Sequence, residues 1–283
     1  MDQLTLRLVG PEDHAFLQYV PGNYRPQLGR EELLCVGAVY RGKACAAALA
    51  EETGEGRYYL RYLFVDPAAR LCGLGSYLLR GLLGQIRDRG GREVKAVYSP
   101  SMLEGGRQTL GLLERVGFSR PEPFATAFST RLGDIHPLDL PLPPEIAVYS
   151  GPDLPDPLWD DYLALLALEE LPDFADARLL DRPWPELSSF CCEDGRLSGI
   201  FLIDRKGEGC HLAGLYVLPG FRGGRTAAAL IGRSIRAAKA LLPPETPVWT
   251  SAIDRNAYSM CDKLLRLGDR AEKETEFCSV YTF

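Results

Sequence analysis

The sequence has no uncharged apolar stretch long enough to cross a bilayer as a helix, so no membrane partner is expected. Its start, Met1-Asp2-Gln3-Leu4, lacks the basic residues and apolar run of a secretory leader, and none is expected. No long Lys/Arg cluster occurs and the net charge is −6, which argues against a nucleic-acid footprint. Cys35, Cys45, Cys72, Cys191, Cys192, Cys210, Cys261 and Cys278 form no C-x-x-C pair and no His-paired spacing, so no metal is expected. Several lie in apolar runs, where a thiol behaves as a small hydrophobe; reduced cysteines in a cytoplasmic protein are the reading. What remains is an ordinary globular composition, 46% hydrophobic and 25% charged, in 283 residues with room for two domains.

One stretch organises the chain, Leu63 to Leu79. Pro67 ends an apolar strand because it cannot donate to a ladder. Gly73 and Gly75 follow where backbone must approach a ligand closely. Leu74, Leu78, Leu82 and Ile86 then recur every four residues, with Leu79 and Leu83 widening the stripe, so a helix is predicted there. A strand, a glycine loop and a helix start suit a phosphate or pyrophosphate, because the first helical N–H groups lack partners and carry partial positive charge. Arg70 adds a cation at the loop entrance.

The loop lacks the Gly-Lys-Ser/Thr of a Walker motif and the third glycine of a dinucleotide fingerprint. Arg70-Leu71-Cys72-Gly73-Leu74-Gly75 after Val65-Asp66-Pro67 resembles instead the acyl-coenzyme A loop of the GNAT N-acetyltransferase superfamily, Arg/Gln-x-x-Gly-x-Gly/Ala after a strand ending Val-x-Pro. The resemblance implies acetyl-coenzyme A as cofactor, held by Arg70, Leu71, Cys72, Gly73, Leu74, Gly75 and Ser76. It also implies a backbone amide at Phe64 or Val65 that polarises the thioester oxygen, and direct attack by a small-molecule or protein amine. It leaves room for a homodimer.

In chain order, Leu4–Leu8 is predicted as a strand, Pro11-Glu12-Asp13 opens a helix, and a loop covers Val20 to Arg30. Leu33–Tyr40 and Ala44–Ala50 read as a hairpin around Gly42, and Tyr58–Val65 as the strand feeding the loop. Gly90-Gly91 stops the long helix, Val94–Ser99 is a strand, Gly106–Val116 a helix, and Pro123–Leu132 supplies closing strands. The proline-rich run Asp134 to Glu145 is a connector, which divides the chain into domains 1–135 and 145–283.

The pattern then repeats. Leu63 and Leu215, Pro67 and Pro219, and Arg70 and Arg222 are each 152 residues apart. The chain therefore resembles a tandem GNAT protein, an α/β fold of two domains, each a mixed, mostly antiparallel sheet flanked by helices. The second loop departs from the pattern, with Arg225 at the first glycine position and Ala227 at the second; Gly224 is placed to rescue the turn.

Catalytic groups are less clearly marked. The family's glutamate base position, six residues before the Val of Val-x-Pro, holds Tyr59 in the first half and His211 in the second, and only a histidine titrates near neutrality. Glu51, Glu52 and Glu55 precede the first-half strand as alternatives. The family's thiolate-protonating tyrosine is replaced by Leu113 and Leu264, leaving Tyr98 or Ser99 as substitutes. Asn256 resembles a coenzyme-contacting Asn or a helix cap, and the resemblance implies a substrate pocket built from variable loops such as Val20 to Arg30 and Asp173 to Pro185. Three readings follow: an N-acetyltransferase with its cofactor in the first half, a non-enzymatic acyl-coenzyme A-binding protein, or an active site in the second half using His211.

Overall fold

A computed structural model describes residues 4–102, 107–137, 140–168, 170–180, 182–223 and 225–283. Gly106 and Gly224, read above as a helix start and a turn residue, lie outside them. The chain opens with β1 (Leu4–Leu8), α1 (His14–Leu17), β2 (Leu33–Tyr40), β3 (Lys43–Glu52), β4 (Arg57–Val65), α2 (Leu74–Asp88), β5 (Glu93–Tyr98) and α3 (Arg107–Val116). It continues through β6 (Glu122–Arg131), β7 (Ile146–Ser150), α4 (Asp156–Ala167), β8 (Ser189–Glu193), β9 (Arg196–Lys206) and β10 (Gly209–Val217). It ends with α5 (Thr226–Leu241), β11 (Pro247–Ala252), α6 (Arg255–Lys263) and β12 (Glu272–Thr282). Two compact units result, Met1–Phe124 with Thr275–Phe283, and Ala125–Glu274.

The two units share one mixed α/β topology. In the first, β1, β2, β3 and β4 pair antiparallel in order, β4 pairs parallel with β5, and β12 closes antiparallel on β5. In the second, β7, β8, β9 and β10 pair antiparallel, β10 pairs parallel with β11, and β6 closes antiparallel on β11. The strand beside β5 thus comes from the end of the chain, and the strand beside β11 from its middle. Both closing strands carry similar alternation, so which parallel strand each joins is decided by non-local packing.

Local chemistry explains the parts that build the site. Arg41-Gly42 (φ 52° and 75°) and Asp194-Gly195 (φ 51° and 77°) both take the left-handed conformation that joins β2 to β3 and β8 to β9 by tight hairpins. In α2, Leu74, Leu78, Leu79, Leu82, Leu83 and Ile86 are all buried, each contributing about 1.5–3 kcal/mol of apolar burial. They pack against Ala46, Ala48 and Ala50 of β3, while the opposite face of that strand, Ala47 and Leu49, packs with Phe16 of the single-turn α1. Gly90 (φ 82°) ends α2 as expected, and Gly91 donates back to the Ile86 carbonyl at 2.9 Å.

A β-bulge shifts the register of β4 against β3 at Arg61, and β10 carries its counterpart at Ala213, again 152 residues on. Bulges re-aim the strand beyond them. The parallel pairs end two residues before these points: the last β4–β5 partners are Tyr59 and Lys95, and the last β10–β11 partners are His211 and Trp249. β4 runs on to Val65 without a parallel neighbour, and a wedge opens at its end.

Candidate active site

In the first unit this wedge is a cleft of about 190 Å³ lined by Leu63, Phe64 and Val65 of β4, by Arg70, Leu71, Gly73, Leu74, Gly75 and Ser76 of the loop and α2, and by Thr109, Leu112 and Arg115 of α3. Eight of the nine expected cofactor residues, all but Cys72, line it. Gly73 has φ 83°, and a Cβ built there would meet nothing within 4 Å, so its glycine is required by conformation and not by crowding. Gly73, at the N-cap of α2, has no side chain to cap the helix, and a backbone bond runs from Tyr77 N–H to the Gly73 carbonyl at 3.1 Å. The first residues of α2, Leu74, Gly75 and Ser76, line the cleft, and no capping side chain for them is found among the described residues. A Cβ at Gly75 would sit 3.4 Å and 3.5 Å from the Leu112 methyls, ordinary contact that also admits alanine.

Arg70 does more than lend charge. Its Nε donates to the Val65 carbonyl at 2.8 Å, and its guanidinium lies 5.5 Å over the Phe64 ring, which fastens the loop to the strand. Phe64 in turn stacks on Tyr19 and Tyr62 at 5.9 Å and 6.3 Å. Tyr19 donates to Asp66 Oδ2 at 3.2 Å, while Asp66 Oδ1 accepts the Ala68 N–H at 2.9 Å and holds the turn after Pro67.

The catalytic candidates are scattered. Tyr59 pairs in register with Glu51 and carries Arg61 4.9 Å over its ring; Arg61 also meets Glu51 at 2.7 Å. Glu52 accepts from Tyr58 at 2.8 Å and from the Gly56 N–H; burial, with the Glu52 pair adding to it, pushes Tyr58 up to about 12. Glu55 meets Arg57 at 3.3 Å. Tyr98 and Ser99 are buried; Tyr98 sits in the core beneath α2, its hydroxyl 3.1 Å from Ser279 Oγ, and burial raises its pKa. Leu113 is buried too, and its neighbour Leu112 faces the cleft. Thr109, Leu112 and Arg115 are the wall residues the sequence reading missed; only the helical phase of α3 could have hinted at them.

Residues 4–118 match the acetyltransferase (GNAT) family. The match spans the part of the chain from β1 to the end of α3, which is thus similar to a GNAT acetyltransferase domain. Among curated proteins, none matches the chain. Among solved structures, a tandem GNAT protein from the clavulanic acid biosynthesis pathway is 14% identical, with 98% of both chains covered and a TM-score of 0.73. A GCN5-related N-acetyltransferase from Sphaerobacter thermophilus is 19% identical over 100% of this chain and 96% of its own, TM-score 0.61. One from Kribbella flavida is 16% identical over 98% and 71%, TM-score 0.57. At these identities the likeness is one of fold, and that fold is the tandem GNAT arrangement.

Compared with the loop of the first unit, the second loop keeps the fastening and lacks the left-handed glycine. Arg222 Nε donates to the Val217 carbonyl at 3.1 Å and its guanidinium lies 5.6 Å over Tyr216, repeating Arg70. Arg225, however, has φ −90° where Gly73 has 83°, and it donates to the Pro141 carbonyl at 2.6 Å. Thr226, in the place of Leu74, is buried with its hydroxyl 3.4 Å from Glu193. Gly214 of β10 admits the Phe174 carbonyl so closely that a Cβ would lie 2.1 Å from it, so the 173–175 turn presses on the strand. His211 is half-buried, and burial, with Lys206 assisting, pushes it down to about 4. Asn256 does not cap α6; Asp254 does, accepting the Ala257 N–H at 2.7 Å.

Proposed function

We propose that this chain transfers an acetyl group from acetyl-coenzyme A to an amine, of a small molecule or a protein, with the cofactor held in the first unit. The observation that carries this is the start of α2 lining the cleft behind a left-handed Gly73 that has no capping side chain, a helix N-terminus suited to pyrophosphate. Arg70 to Ser76 would hold that group, and Leu63 to Val65 would run beside the pantetheine arm. Bound there, acetyl-coenzyme A supplies an activated thioester.

The chain's own contribution begins at Val65. Asp66 N–H donates to the Cys45 carbonyl at 2.8 Å, so alternation turns the Phe64 amide toward β3 and the Val65 amide toward the open wedge. Val65 N–H is accordingly the donor for the developing oxyanion. The amine must be held in line and shed a proton. Glu51 and Glu52, the register partners of Tyr59 and Tyr58, are the carboxylates at the end of β3; Glu52 is engaged by Tyr58, which leaves Glu51 as the candidate base, acting through a water. His211, with a pKa near 4, is a weak proton acceptor at neutral pH. The described cysteines are all unpaired thiols, which fits a reducing cytoplasmic setting.

Thiol release from acetyl-coenzyme A against a panel of amines tests the proposal. Turnover with an acceptor, lost in Gly73→Arg at unchanged folding, is the expected result. Binding without turnover across a broad panel would favour a non-enzymatic acyl-coenzyme A protein. Turnover that survives Gly73→Arg but fails in His211→Ala would move the active site to the second unit.

A further inference from the structure

Five described non-glycine residues have positive φ, and four of them, Arg41, Glu55, Asp194 and Arg266, are charged residues in turns between strands or after a helix. The fifth is Leu71, with φ 64°, 88% exposed and lining the cleft. It is unfavourable twice over: a bulky L-residue is strained in the left-handed region, and a large apolar side chain is left in water. Nothing in the fold demands it. The second unit makes the same bend 152 residues later with Gly223 at φ 84°, free of that strain. The strained leucine stands in the unit whose loop keeps Gly73, and the relaxed glycine in the unit where Arg225 has replaced it.

Strain that persists at a ligand cradle points to function. Resting on the reading that the first unit binds coenzyme A, we infer that Leu71 is an apolar clasp, closing over a non-phosphate part of the bound carrier and contributing affinity that the backbone cradle alone does not. The carrier offers two such parts, the adenine ring and the branched aliphatic segment of its pantetheine arm.

The test compares wild type with Leu71→Asn, which tolerates the left-handed conformation without the apolar surface, and Leu71→Met, which keeps the surface. Calorimetric titrations use coenzyme A, adenosine 3′,5′-bisphosphate and 4′-phosphopantetheine, and thermal melting is recorded without ligand. Leu71→Asn is expected to melt at or above the wild-type temperature yet bind coenzyme A roughly tenfold or more weakly, as loss of a buried leucine contact requires. Leu71→Met should bind within about threefold of wild type, a difference much smaller than one buried side chain contributes. Whichever half-ligand loses affinity in parallel identifies the part that Leu71 covers. Unchanged coenzyme A affinity in Leu71→Asn, or an equal loss in Leu71→Met, overturns the clasp while leaving the cofactor site standing. Failure of wild type to bind coenzyme A overturns both.

Discussion

His211 gives the sharpest quantitative test of the second unit. Its pKa falls from an ordinary 6.5 to about 4, burial being the main cause and Lys206 adding to it. Asp204, its register partner on β9, commits Oδ1 to the Arg182 N–H at 2.7 Å. Because the folded value lies below the unfolded one, neutral His211 costs nothing above about pH 6.5, and stability is lost as pH falls from there toward 4. With those two values the loss between pH 7 and pH 5 is about 2 kcal/mol. Urea unfolding at the two pH values, for wild type and His211→Gln, isolates this contribution from the carboxylates that titrate in both proteins. The chain's tryptophans, Trp159, Trp184 and Trp249, all lie within Ala125–Glu274, so their fluorescence follows the unit that contains His211. Wild type should lose about 2 kcal/mol more than His211→Gln on going from pH 7 to pH 5. Equal losses, or a His211 resonance titrating near 6.5, would refute both the burial argument and the view of this histidine as a poor base.

Two further outcomes follow from local geometry. Asp254→Ala should cost about 1 kcal/mol by removing the cap of α6, whereas Asn256→Ala should stay within about 0.5 kcal/mol, as judged by urea midpoints at constant slope. A Cβ at Gly37 would lie 2.2 Å from the Phe16 ring, so Gly37→Ala should destabilise the first unit by about 1–3 kcal/mol in circular-dichroism melts; an unshifted melt would show that Phe16 does not pack there.

Much of this was legible in the residues because it depends on local rules. The strand before Pro67, the left-handed Gly73 and the four-residue leucine spacing of α2 specify one another over seventeen positions, and the helix begins at Leu74 as the pattern requires. The hairpins at Gly42 and Gly195 follow from the same kind of reasoning. Tyr98 could have been placed from alternation, since Val94, Ala96 and Tyr98 share the buried face of β5. The cap of α6 was in plain view as Asp254, two residues before the asparagine that drew attention.

Other features are relations between distant segments. A bulge at Arg61 or Ala213 exists only against a partner strand, so no single segment announces it. The pairing of β12 with β5 and of β6 with β11 is decided by strands with nearly equivalent patterns. Thr109, Leu112 and Arg115 reach the cleft through the packing of α3, which helical periodicity alone does not orient toward the loop. Arg70 offered a charge to the sequence reader, and its fastening of the loop to Val65 became visible only in three dimensions.

The direct test of where the cofactor sits is a calorimetric titration of acetyl-coenzyme A into the full chain and into Gly73→Arg, which gives the first loop the residue the second loop has at Arg225. One site per chain, abolished in a Gly73→Arg protein whose circular dichroism is unchanged, is the expected result. Two sites per chain, or a single site that survives the substitution, would contradict a cradle built from Gly73 and the start of α2.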